Sequence, residues 1–499
     1  MKPILIALAA ALSLAAAARA GDLATVVQGR LQGVTAGAVT SFKDIPYAAA
    51  PVGPLRWRPP QPAAAWPAVR KADAFGPACT QPMGFPMPMS EDCLTLNVWA
   101  PATAVPGARL PVMVWIHGGA FVWGAGGTPF YDGTHFAERG VILVTLNYRL
   151  GRFGFFAHPA LAREEGLTGD YGLMDQVAAL KWVQANIAAF GGDPARVTVF
   201  GESAGGMSVN YLLTSPMARG LFAQAITESG FARAGAPTLA EAEAVGTRVA
   251  AGLGVTGVDA AALAALRALP ADRLNAAPTG LDDPLIAGPM IDGKLIVETV
   301  KSALAAGREA RVPLIVGGNS WEASLFPNVG KNPETVLAKA GARRDALIAL
   351  YGGGGLGRIA TDVTTDAAVI EPDRFEARAL TRDGAPAYLY YFSYVPVAQR
   401  ATQPGAPHGG EVLYVFDNLP PSDLTLGGRH IPAATPEDRK VSEAMIDAWT
   451  TFAKTGSPGQ GWPRYTLATD TALEFGVDGV APRPAFRKAK LDVLEAVAK

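Results

Sequence analysis

Five apolar runs, four of them closing on a polar or glycine-rich motif, constrain this chain more than any other feature. Residues 112–116 end in His117-Gly118-Gly119, 141–146 in Asn147-Tyr148-Arg149, 197–200 in Gly201, and 312–316 in Gly317-Gly318; residues 388–392 form the fifth run. Runs apolar on both faces read as central strands of a sheet covered by helices. Helical stretches lie between them. Residues 173–190 carry a helical apolar pattern closed by Gly191-Gly192-Asp193-Pro194. Thr238 and Glu241 form a capping box before an Ala-rich helix, and Asp259 caps the next, which stops at Pro270. Strand–helix alternation gives an α/β fold with a mainly parallel sheet. No fixed-period repeat, low-complexity linker or charge block interrupts it, so residues 21–499 read as one domain.

Charge narrows the function. The 43 Lys+Arg against 44 Asp+Glu leave a formal net charge of −1. A nucleic-acid surface needs a basic excess to replace counterions, so that class is set aside. At 49% hydrophobic and 17% charged, the chain is neither disordered nor a disulfide-dense scaffold.

The first 20 residues read as a signal peptide. Lys2 gives a positive start, residues 4–18 are apolar apart from Ser13, and Ala18-Arg19-Ala20 fits the small-x-small cleavage rule. The run is too short to span about 30 Å of hydrocarbon. No Cys stands at the new N-terminus to carry a lipid, and no later stretch is long and apolar enough to insert stably in a membrane. In an exported chain the two cysteines, Cys79 and Cys93, can pair. The alternative is two buried free thiols.

Chemistry concentrates after the third run. Gly201-Glu202-Ser203-Ala204-Gly205-Gly206 is a G-x-S-x-G written directly after a strand. A strand-to-helix turn this sharp lifts the Ser203 hydroxyl above the sheet and leaves the Ala204 N–H free to donate. A nucleophilic serine needs a base, and the chain has five histidines: His117, His135, His158, His408 and His430. In this architecture the base follows the serine along the chain, which leaves His408 and His430. His408, in a glycine-bearing loop beyond the fifth run, is favoured by strand-end geometry; His430 stands farther from a strand. The acid should lie between serine and histidine. Glu322 follows the fourth run, whereas Asp292 sits in a tight turn where Asp serves the backbone. Glu322 would hold the imidazole tautomer and stabilise the imidazolium. His117-Gly118-Gly119-Ala120 follows a strand, as the oxyanion loop of lipases and esterases does; the alternative is an ordinary turn.

These motifs together resemble the type-B carboxylesterases, the branch of the α/β-hydrolase family that includes cholinesterases and bacterial para-nitrobenzyl esterases. The likeness runs from Phe42 to Tyr465. It takes in Phe42-Lys43-Asp44-Ile45-Pro46-Tyr47, Glu91-Asp92-Cys93-Leu94, Trp115 to Phe121, the Ser203 turn, Trp449 to Gly456, and Trp462-Pro463. The resemblance implies an α/β-hydrolase fold: a large, mostly parallel sheet flanked by helices, with helical cap insertions. It implies Ser203 as nucleophile, Glu322 as acid and His408 as base. It also implies an oxyanion hole from Gly119, Ala120 and Ala204, with Gly118 shaping the loop, and a Cys79–Cys93 disulfide. No cofactor or metal enters this reading.

Departures from the family pattern bear on substrate. The position often glycine in the animal enzymes is Ala120 here, as in bacterial relatives. The 13-residue loop between the cysteines holds no Trp, which in cholinesterases binds quaternary ammonium; Phe85, Met83, Met87 and Met89 stand there instead. Choline esters are therefore not expected to be favoured. Phe121, Trp123, Phe231 and Phe85 are pocket candidates, and each could equally be core. The terminal Ala496-Val497-Ala498-Lys499 is no endoplasmic-reticulum retention signal, which points to a bacterial periplasmic or secreted enzyme.

The expected function is an exported serine esterase acting on small-molecule esters through an acyl-enzyme. The alternatives are a triad-less binding protein of the cholinesterase type, a lipase for longer-chain esters, and a metal-dependent hydrolase. The last lacks a ligand cluster in the sequence, where His408 and Glu411 form one isolated pair. Monomer and dimer both stay open.

Overall fold

The computed structural model describes residues 22–82, 85–165, 169–275, 287–426 and 429–498. The signal-peptide reading of residues 1–20 lies outside them. Eleven strands form the central sheet: β1 (Val34–Ala36), β2 (Val39–Pro46), β3 (Thr95–Pro101), β4 (Leu110–Ile116), β5 (Ile142–Leu146), β6 (Gly192–Glu202), β7 (Gln224–Glu228), β8 (Leu314–Asn319), β9 (Ala387–Phe392), β10 (Ala472–Gly476) and β11 (Gly479–Arg483). Their spatial order is β1-β2-β3-β5-β4-β6-β7-β8-β9-β10-β11. From β5 to β10 every pairing is parallel. β1 to β3, and β11, pair antiparallel at the two ends. This is the α/β-hydrolase fold.

Each of the five apolar runs is a strand, and each is buried on both faces because helices cover both. Val112, Val114 and Ile116 of β4 face one core, while Met113 and Trp115 face the other. The first core includes α1 (Tyr171–Asn186) and α2 (Ala204–Thr214). Two cap-region helices follow in the chain, α3 (Leu239–Gly252) and α4 (Ala260–Arg267). Thr238 and Glu241 close the capping box of α3, and Asp259 caps α4. Then come α5 (Glu371–Arg382) and α6 (Pro436–Thr455); Met445, Ile446, Trp449 and Phe452 of α6 fill the second core. No described helix is long and apolar enough to cross a membrane.

The chain leaves β4 to make β5 on one side and returns to make β6 on the other. Such a reversal opens a crevice beyond the carboxyl ends of the strands. The segments after β4, β6, β7, β8 and β9 all emerge at that edge.

Candidate active site

The turn after β6 owes its shape to glycine. A Cβ at Gly205 would sit 2.0 Å from the Ile116 carbonyl oxygen of β4, and one at Gly201 2.6 Å from the same atom. Only hydrogen fits where these backbones cross. The closeness forces Ser203 to φ 58° and ψ −121°, a conformation that costs about 1–3 kcal/mol for a residue with a side chain. The Ser203 N–H donates to the Glu228 carbonyl at the end of β7 (2.9 Å), which pins the turn. Ala204 opens α2, so its N–H has no partner within the helix.

Beyond β4 the backbone turns through three consecutive positive φ values: 110° at Gly119, 53° at Ala120 and 61° at Phe121. Gly119, Ala120, Ser203 and Ala204 line one cavity of about 910 Å³. Gly118 lies behind them, where a Cβ would meet the Glu202 carbonyl oxygen at 2.7 Å.

The segments after β8 and β9 bring Glu322 and His408 together. His408 Nδ1 lies 2.5 Å from Glu322 Oε2. Glu322 is fully buried, and its other oxygen accepts from the Ser229 hydroxyl (2.6 Å) and the Asn319 N–H (2.7 Å). Three directed contacts thus fix the carboxylate. His408 lines the same cavity, and its Nε2 lies 3.1 Å from Glu202 Oε1, off the line a hydrogen bond requires. Burial opposes charge on His408, but the carboxylates of Glu202, Glu322 and Glu411 outweigh it and push the imidazole up to about 9. Behind it, burial with the charges of Glu202 and Glu322 pushes Glu411 up to about 8. Glu228 is raised well above the usual range by burial and by Glu411, while Trp449 Nε1 donates to it at 2.8 Å.

The other histidines sort differently. His117 is buried, stacks on Tyr148 with ring centroids 4.5 Å apart, and is pushed by burial down to about 4. His135 sits on the surface beside Glu138 (3.0 Å). His430 corrects the sequence reading that set it far from a strand. It lies within the short strand Arg429–Ile431, paired with Leu424–Leu426, and lines the same cavity as Ser203. Asp292 serves the backbone as expected: its Oδ1 accepts N–H groups of Lys294, Leu295 and Ile296 at 2.8–2.9 Å.

Two of the four pocket candidates line the cavity, Trp123 and Phe231. Phe121 does not; its positive φ turns the ring into the core against Phe155, with centroids 5.1 Å apart. Phe85 is also absent from the wall among the described residues. The disulfide loop instead packs behind the residue 119–124 turn, where Gln81 exchanges two hydrogen bonds of 2.9 Å with the Gly124 backbone. Cys79 and Cys93 are joined in a disulfide. Sequence reasoning also missed Glu202, Ser229 and Asn319. Only Glu202 carried a signal, its place beside the serine.

Comparisons agree with this architecture. The carboxylesterase family pattern matches residues 21–347 and 355–493. The chain is 39% identical to a fumonisin B1 esterase from Sphingopyxis macrogoltabida, over 93% of this chain and 89% of that one. It is 38% identical to a para-nitrobenzyl esterase from Bacillus subtilis, over 91% and 94%. A Geobacillus stearothermophilus carboxylesterase structure superposes with a TM-score of 0.80 at 32% identity, covering 96% of this chain and all of that one. With a serine turn, a paired glutamate and histidine, and a shared cavity at the strand ends, the chain belongs to the carboxylesterase family of carboxylic-ester hydrolases.

Proposed function

We infer that the protein is an exported serine carboxylesterase that works through an acyl-enzyme. The observation that carries this reading is the convergence of Ser203, in its left-handed turn, and the Glu322-paired His408 on one cavity. Ser203 Oγ attacks the ester carbonyl carbon while His408 Nε2 takes its proton. The oxyanion so formed accepts from the N–H groups of Gly119, Ala120 and Ala204, with Gly118 shaping their loop. Donors of this kind contribute roughly 3 kcal/mol each to the transition state, and the N-terminus of α2 adds its dipole. The intermediate collapses, the C–O bond breaks, and His408 returns the proton to the departing alcohol. Water then repeats the sequence on the acyl-Ser203 ester, releasing the acid. Glu322 keeps the His408 tautomer and stabilises the imidazolium.

The cavity is large enough for a drug-sized ester. Trp123, Phe130, Phe231, Leu325 and Phe326 give it apolar walls, which suits apolar acyl or alcohol groups. Export is supported by the apolar leader and by a closed disulfide, which persists in oxidising compartments. The periplasm or the medium is the proposed location.

Hydrolysis of nitrophenyl esters by wild type, Ser203→Ala and His408→Ala tests the roles. Each variant should lose on the order of 10⁴ to 10⁶ in kcat while keeping its fold. Retention of more than about 5% of the rate in either variant, well short of that loss, refutes the assignment.

A further inference from the structure

The acid and the base sit on segments that follow different strands, yet the two segments are stitched together. Ser320 Oγ accepts the Ala406 N–H (2.8 Å), and the Trp321 N–H donates to the Ala406 carbonyl (2.8 Å). Ser324 Oγ accepts the His408 N–H (2.9 Å). At the centre is Asn319, the last residue of β8, with no exposed surface. Its backbone N–H holds Glu322 Oε1 (2.7 Å). Its side-chain amide donates to the Pro407 carbonyl (2.8 Å) and to Glu411 Oε2. One residue therefore grips the acid with its main chain and both flanks of the base with its side chain.

The Asn319 carbonyl oxygen, Oδ1, is buried without a hydrogen-bond partner. An unpaired buried acceptor is costly. A side chain serving packing alone could be apolar and avoid that cost. The amide is useful here only as a forked donor, one fork for each flank of His408.

We propose that Asn319 is a positioning residue for ester hydrolysis: its amide sets the His408 loop at bonding distance from Glu322. The inference rests on the base–acid reading given above. Asn319 touches no substrate; it acts through the imidazole. A misplacement on the order of 1 Å in a catalytic group can cost about 100-fold, which bounds the expected effect.

The decisive variant is Asn319→Leu. It keeps the approximate shape and the N–H to Glu322 but has no side-chain donor. Its kcat on a nitrophenyl ester should fall roughly 10- to 100-fold with KM within about threefold, because the cavity wall is untouched. The low-field proton resonance of His408 Nδ1–H, bonded to Glu322, should move or broaden in the same protein. Asn319→Ser, smaller and still able to donate one bond, should fall between Leu and wild type, and serves if the Leu variant does not fold. A kcat within twofold of wild type overturns the proposal, as does a fall in kcat with the resonance unmoved. Should the wild type hydrolyse no ester at all, the acyl-enzyme reading fails first, an outcome separate from these.

Discussion

As the proposed base, His408 should govern how this site responds to pH. Only its neutral form can take the Ser203 proton, and the carboxylates of Glu202, Glu322 and Glu411 overcome burial to push it up to about 9. A raised value delays the neutral form as pH rises. The acid limb of kcat/KM should therefore lie above the ordinary histidine value of about 6.5, at or below about 9. Glu411, pushed up to about 8, changes charge over the same range. Glu411→Gln removes one of the charges that hold the proton, so its limb should move down toward about 6.5 in a pH–rate profile. A flat profile between about pH 5 and 8 contradicts a histidine base. Ser203, Glu322 and His408 were legible in the sequence because each follows a strand-like run in a recognisable setting. Ser229 and Asn319 were not. Ser229 meets Glu322 across 93 residues of chain and the Asn319 amide meets Glu411 across 92, through the register of neighbouring strands.

At the scale of elements, the β6–α2 turn depends on two backbones passing where no side chain fits. Gly205→Ala would place a methyl carbon 2.0 Å from the Ile116 carbonyl oxygen. Backbone cannot yield as a flexible side-chain tip does, so the cost should reach the upper end of overpacking, about 3 kcal/mol. Chemical denaturation should show this as a lower midpoint, together with lost activity as Ser203 shifts. A stable, fully active variant would contradict the crossing. The sequence announced this turn through its glycines, and the five apolar strands through their length. It did not announce β7. Its residues Gln224-Ala225-Ile226-Thr227-Glu228 contain no long apolar run, and pairing with β6 and β8 alone makes it a strand. The outermost strands, Val34–Ala36 and Gly479–Arg483, were equally silent, since both are short and largely exposed and carry no apolar run.

For the whole molecule, the disulfide separates stability from chemistry. Cys79 and Cys93 close a loop with a sequence separation of 14, for which the chain-entropy relation gives about 3 kcal/mol. Replacing both by Ala should lower the melting temperature. It should change kcat by less than about tenfold, or 1.4 kcal/mol, because every residue assigned to catalysis sits on other strand ends. Any effect on KM should travel through Gln81 and its two bonds to Gly124, not through Phe85 at the wall. An unchanged melting temperature contradicts the stabilising role. Covalent chemistry at Ser203 is tested by peptide mass spectrometry after inactivation with a serine-directed organophosphate. One phosphoryl adduct per chain should appear, on the peptide containing Ser203, in step with loss of esterase activity. Full inactivation with Ser203 unmodified, or a modified Ser203 in an enzyme that still turns over, would contradict the account.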